Sequence, residues 1–326
     1  PDRVADDVRA ALDAWYADME GAWPFWLQKR NQFRKLTASL VGSRRADCIV
    51  PKTSAGQGLR AVLNALPGKP RVVTTDGEFD SIAFILRVYR EQGRIDQRIV
   101  PWRELSPAGA TLVVLSSVMF RSGEVVPGLA RLVRAAHEAG AMVLLDVYHH
   151  AGVLPLDLQA LDADFAVGGS YKYLRGGPGA CWLYVHPRHH RRITPDTGWF
   201  AKKDPFDYRR PEPPQFGSGG DAWLESTPSV LSPVQALAGL ELTLELGVEA
   251  LRGYNLRQKA LLASLLRRSG IEVSGDDEGH GAFLTLARPD AADLSRRLRE
   301  RGVATDARGD ALRLGPDLLN PDEELE

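Results

Sequence analysis

Phe165-Ala166-Val167-Gly168-Gly169-Ser170-Tyr171-Lys172-Tyr173-Leu174-Arg175-Gly176-Gly177-Pro178-Gly179 joins an apolar run, a lysine between two tyrosines and a glycine-rich turn. The run Phe165–Gly168 is short and has no polar alternation, as expected of a strand buried on both faces. A lysine in a loop is ordinarily just solvated. Lys172 differs in its flanks: two aromatic rings and a tight turn at a strand end would desolvate the amine and lower its pKa.

Outward from this stretch the same texture repeats. Short apolar runs at Cys48–Val50, Arg71–Thr74, Arg98–Val100, Thr111–Leu115, Met142–Asp146 and Cys181–Val185 predict strands. Helical spacing predicts helices at Leu59–Leu66, Ser81–Glu91 and Leu129–Ala139, each closing near Gly or Pro. This alternation predicts an α/β fold with a mostly parallel, doubly wound sheet in a large domain over 46–232. Two amphipathic stretches precede it, Val4–Glu20 and Trp26–Val41, giving an N-terminal helical segment over 1–45 expected to pack with the small domain. Thr194–Ser232 is rich in Pro, Gly and aromatics and reads as a functional loop region. A single long helix is expected from Pro233 to Leu266. A smaller α+β unit follows it, with strands at Ile271–Val273, Ala282–Leu286 and Ala311–Leu314 and a helix at Ala291–Arg301, so the C-terminal domain covers 233–326.

In open α/β sheets ligands bind beyond the carboxyl ends of the strands. Asp146 ends one apolar run and is followed by Val147-Tyr148-His149-His150. Alone it reads as a cap or as a functional carboxylate. Asp146 and Lys172 on successive strand ends together fit pyridoxal 5'-phosphate, which needs a lysine for its aldehyde, held as a Schiff base, and an acid for its ring nitrogen. Thr53-Ser54-Ala55-Gly56, between a strand and a helix, reads either as an ordinary N-cap or as a phosphate cradle. Phe79, just past the strand at Arg71–Thr74, reads as a core residue or as a partner for the cofactor ring.

The totals exclude several classes. The chain has 326 residues, 44% hydrophobic and 25% charged, with a formal net charge of −1. That is an ordinary globular composition with no global pull toward nucleic acid or anionic lipid. Arg188–Arg192 reads as a solvated face. No apolar run approaches the roughly 18 residues of a membrane helix. The two cysteines, Cys48 and Cys181, are far apart, and the pairs His149-His150 and His189-His190 lack metal-ligand spacing, so no metal is expected. Free thiols fit a cytoplasmic protein. Pro1 stands directly before a helical pattern, a place where the natural N-terminus would lie upstream, and Glu326 stands where a last helix would start; the sequence leaves open whether either end continues.

These residues resemble the kynureninase family, a branch of the class V aminotransferase-like, fold-type I pyridoxal-phosphate enzymes. The resemblance runs from about Cys48 to Pro316. Asp164–Gly179 is its most specific part, and Asp146-Val147-Tyr148-His149 is similar to that family's Asp-x-x-His. Val118-Met119-Phe120-Arg121-Ser122-Gly123 resembles Val-Asn-Tyr-Arg-Thr-Gly, and Gly198-Trp199-Phe200 resembles Gly-Trp-Phe. Arg313-Leu314-Gly315-Pro316 is similar to the segment whose arginine grips the substrate α-carboxylate. The resemblance implies cofactor contacts from Lys172, Asp146, His149, Tyr171, Thr53, Ser54, Phe79, Trp199 and Thr227, with Trp199 acting across the interface of a homodimer. It implies hydrolysis of L-kynurenine or a relative to anthranilate and alanine, with Lys172, Asp146, Tyr171 and His149 catalytic. Ile82, Met119, Ala201 and Thr227 depart from the family's pattern, at a family carboxylate, an amide, a glycine and an Asn or Gly. Those departures leave open a class V aminotransferase or β-lyase acting on another amino acid, and a cofactor-binding protein of degenerate activity. A cysteine desulfurase would need a mobile loop cysteine, and neither cysteine falls in a loop.

Overall fold

The computed structural model describes residues 2–325; Pro1 and Glu326, where expectations about the chain ends fall, lie outside the described residues. Seven strands form the main sheet: β1 (Ile49–Lys52), β2 (Arg71–Thr75), β3 (Asp96–Val100), β4 (Leu112–Ser116), β5 (Met142–Asp146), β6 (Phe165–Gly169) and β7 (Cys181–Val185). Their order is β1-β7-β6-β5-β4-β2-β3. Only β7 runs against its neighbours β1 and β6; the pairs from β6 to β3 are parallel. The predicted doubly wound sheet is therefore present.

Alternate residues along each strand feed opposite cores, as the two-residue period of a strand requires. Val113, Leu115, Val143, Leu145 and Ala166 face one cluster. Leu112, Val114, Leu144, Phe165 and Val167 face the other. Burial on both faces is why these strands read as unbroken apolar runs. Helices α3 (Ala55–Asn64) and α4 (Asp80–Glu91) cover the second face, and α5 (Leu129–Glu138) covers the first.

The N-terminal helices α1 (Asp2–Ala17) and α2 (Ala22–Leu40) were expected to pack with the small domain. The structure instead lays both along α6 (Leu231–Leu246), and sets Phe33, Ala38 and Leu40 of α2 in the first large-domain core. Helix α6 joins that same core through Ala236, Leu237 and Leu240. The expected continuous helix breaks at Gly247, whose φ of 81° lies in the left-handed region, and α7 (Val248–Arg268) starts there. The C-terminal core thus begins with α7. It contains Ala263, Val273, Leu284, Leu286, Ala291 and Leu312, around the three-stranded antiparallel sheet β8-β10-β9 and α8 (Ala291–Glu300). Strands β8 (Leu284–Ala287) and β10 (Ala311–Leu314) match the reading. Ile271–Val273 forms no strand, and β9 (Asp306–Arg308) had no apolar signature to announce it. The loop region 194–232 is ordered by burial of Phe200, Trp223 and Leu224, with short 3-10 turns in place of strands.

Candidate active site

Parallel pairing of β5 with β6 puts their carboxyl ends side by side, so Asp146 and the segment after Gly169 meet at one edge of the sheet. Between them and α3 and α4 lies a cavity of about 360 Å³, within the usual size of a small-ligand site. Thr53, Ser54, Phe79, Asp146, His149, Tyr171 and Lys172 all line it. Seven of the residues singled out from the sequence are thus brought together.

The Lys172 amine sits 2.8 Å from His149 Nε2 and 4.8 Å from the Tyr148 ring centre. Phe79 presents its ring 5.2 Å from the same nitrogen. Burial pushes the amine down to about 8, with the Asp146 charge working against that shift. His149 is held well below its ordinary range, first by burial and then by the Lys172 charge. It is therefore neutral at pH 7, and its other ring nitrogen meets the Tyr173 hydroxyl at 3.0 Å. Tyr171 is half exposed at the mouth, its ring stacked obliquely 5.3 Å from Tyr148. Tyr148 can lie across the strand end only because Gly169 has no side chain: a Cβ there would come within 2.1 Å of the tyrosine oxygen.

Asp146 is 6% exposed and accepts the Tyr148 amide at 2.9 Å. It has no ion-pair partner among the described residues, and burial raises its pKa. Behind it stands Glu78, which the sequence reading missed. Its two oxygens accept the Thr75 and Ser116 hydroxyls, both at 2.6 Å. Burial, helped by the Asp146 charge, pushes Glu78 up to about 7. A carboxylate buried without a cation suits a protonated ring nitrogen. The start of α3 adds donors for a phosphate opposite, so the cavity fits pyridoxal phosphate. Ser54 caps that helix, its hydroxyl accepting the Gln57 amide at 3.1 Å. Thr53 turns its amide and hydroxyl to Gln57 Oε1, at 2.8 and 3.1 Å.

Three expected residues lie outside the cavity. Trp199 Nε1 donates to Thr227 Oγ1 at 3.1 Å, and Thr227 lines a neighbouring recess that shares Thr53, Gly179 and Cys181 with the cavity. Arg313 sits beyond Phe120, donating to the Phe120 carbonyl and to Asp306, with its guanidinium 4.8 Å over Phe283. Both ends of its fork are engaged within the chain. Of the departing residues, Ile82 lines the cavity wall and Met119 packs in the first core, both buried.

Residues 26–313 match the profile of the family described as Aminotransferase class-V. The chain belongs to that family. Within it, the chain is 28% identical to a kynureninase of Bacillus mycoides, over 99% of this chain and 82% of that enzyme. It is 30% identical to a kynureninase of Salinispora tropica, over 97% and 82%. The class V fold is equally clear in solved structures. The cystine C–S lyase C-DES superposes with a TM-score of 0.88 at 20% identity, over 100% of this chain and 92% of that one. A cysteine desulfurase of Thermococcus onnurineus gives 0.82 at 16%, over 99% and 91%. This class V, kynureninase-like chain is a pyridoxal-phosphate-dependent enzyme.

Proposed function

We propose that the enzyme hydrolyses the Cβ–Cγ bond of L-kynurenine or a close relative, taking up water and giving anthranilate and alanine. The observation that carries this reading is the Lys172–His149 pair, 2.8 Å apart above the buried Asp146, in a chain similar to kynureninases along nearly its whole length. The bound cofactor supplies an electron sink for bonds broken at the substrate's α and β carbons. Asp146 keeps the ring nitrogen protonated. Lys172 would hold the cofactor's aldehyde and, once freed, would take the α-proton, a task suited to an amine held near 8. His149, neutral and 2.8 Å away, accepts that proton or activates the water that adds to the side-chain ketone. Tyr171, at the mouth, serves the same ketone as an acid. The apolar wall of Ile82, Ile85, Val118 and Phe120 suits an aryl ring. Trp199 and Thr227, bonded as a pair outside their own cavity, reach the cofactor phosphate of a second copy in a homodimer. Arg313 exchanges Asp306 for the substrate carboxylate.

Cofactor-loaded protein mixed with L-kynurenine, and no keto acid, should release anthranilate and alanine in equal amounts over many turnovers. A product mixture that forms only when a keto acid is added would replace the hydrolase reading with an aminotransferase. Loaded protein that yields neither product would leave the cofactor chemistry and remove kynurenine as substrate. Cys48 and Cys181 are both buried in or beside strands, which argues against sulfur transfer on a mobile cysteine.

A further inference from the structure

Two cations line the cavity, Lys172 and Arg60, and only the first has a role so far. Arg60 lies on α3, one turn past Gly56. A Cβ placed on Gly56 would be 3.5 Å from an Arg60 terminal nitrogen and 3.8 Å from Ser54 Oγ. The guanidinium therefore curls back toward the start of its own helix, the direction in which helical side chains tilt. Among the described residues it has no ion-pair or hydrogen-bond partner. An arginine is always charged, and a half-buried one facing a cavity without a carboxylate beside it is placed for an anion.

Two of the other donors near this helix start, and the next cation along the chain, are already engaged. Both Thr53 donors go to Gln57 Oε1. Lys52, the next nearest cation along the chain, is buried on Glu225 Oε1 at 2.6 Å and the Trp223 carbonyl at 3.0 Å. A phosphate monoester at this helix start would find the helix dipole and some hydroxyls, but no compensating positive charge except Arg60.

We propose that Arg60 is the cation that this chain supplies to the cofactor phosphate, holding it from the α3 side while Lys172 holds the aldehyde end. The proposal rests on the phosphate lying at the start of α3. It predicts that affinity for the phosphorylated cofactor, but not for its dephosphorylated form, depends on Arg60.

The test is a titration of cofactor-stripped protein with pyridoxal 5'-phosphate and, separately, with pyridoxal, read by the visible absorbance of the lysine-bound aldehyde. Arg60→Ala and Arg60→Gln should weaken phosphate-ester binding by about tenfold to a hundredfold, the worth of a hydrogen-bonded charge. The pyridoxal constant should stay unchanged. Arg60→Lys should restore part of the loss, and added salt should narrow the gap between parent and Arg60→Ala. Equal binding of the phosphate ester by parent and variant overturns the proposal, as does an equal loss for both aldehydes, which would mean a structural role. Ser54→Ala separates the two failures. If it lowers the preference for the phosphorylated form and Arg60→Ala does not, the phosphate is where expected and Arg60 plays no part. If neither variant changes that preference, the phosphate lies elsewhere and the placement itself fails.

Discussion

Replacing Lys172 with Met should make the cofactor-free protein more stable at neutral pH while abolishing cofactor attachment. The amine is pushed from its ordinary 10.5 to about 8 by burial. At about 1.4 kcal/mol per tenfold change in proton affinity, the folded chain pays roughly 3 kcal/mol to keep that amine charged. The sign follows from proton counting. The unfolded chain binds more protons between pH 8 and pH 10.5, so stability rises with pH through that window. The penalty is complete below it and gone above it. Methionine has a similar unbranched stem and no proton to hold. It loses the hydrogen bond to His149, worth about 1 kcal/mol, and His149 keeps Tyr173 as a partner. The net gain should be about 2 kcal/mol at pH 7, shrinking to zero or slightly below as the pH passes 10.5. Urea unfolding of stripped parent and Lys172→Met protein at both pH values reads this directly. A variant less stable than the parent at pH 7, or a difference that ignores pH, would refute the idea that the site holds its lysine at a cost to the fold.

Glu78→Gln should flatten a different part of the stability profile. Its carboxyl is raised from 4.5 to about 7, so the parent loses up to roughly 3 kcal/mol as pH rises through that interval. The amide variant, still able to partner Thr75 and Ser116, should not, and urea midpoints at the two ends of the interval will distinguish them. Mixing inactive Lys172→Ala and Trp199→Ala chains tests the shared site. If Trp199 serves the partner's cavity, each mixed dimer holds one complete site and roughly a quarter of parental activity returns on subunit exchange. If both residues serve their own chain, nothing returns.

Asp146 and Glu78 approach the same end of the sheet, and burial together with mutual repulsion favours a proton on Glu78. A protonated Glu78 donates to one of its two hydroxyl partners, Thr75 and Ser116, and accepts from the other, and the strand position of Ser116 is paired with Asp146. Asp146, not Glu78, is the member that lines the cavity.

The strand-and-helix alternation, Asp146 at a strand end and Lys172 between tyrosines were legible in the sequence because each depends on neighbours a few residues away. Apolar runs announce burial on both faces, and a parallel sheet then forces successive strand ends together. Four features were not legible, because their partners are remote in the chain. Glu78 becomes an acid of the site only when β2 and β4 lie side by side with β5 next to them. Tyr173 was read as a hydrophobic flank, and packing turned its hydroxyl to His149. Trp199 and Thr227 find each other across a loop region with no periodic signal. The loss of one long helix to a break at Gly247 was settled by which core each half could enter, the large one for α6 and the small one for α7. Local pattern determined the elements and singled out Asp146 and Lys172, while close packing of distant segments decided their charges, their partners and the boundary between the two cores.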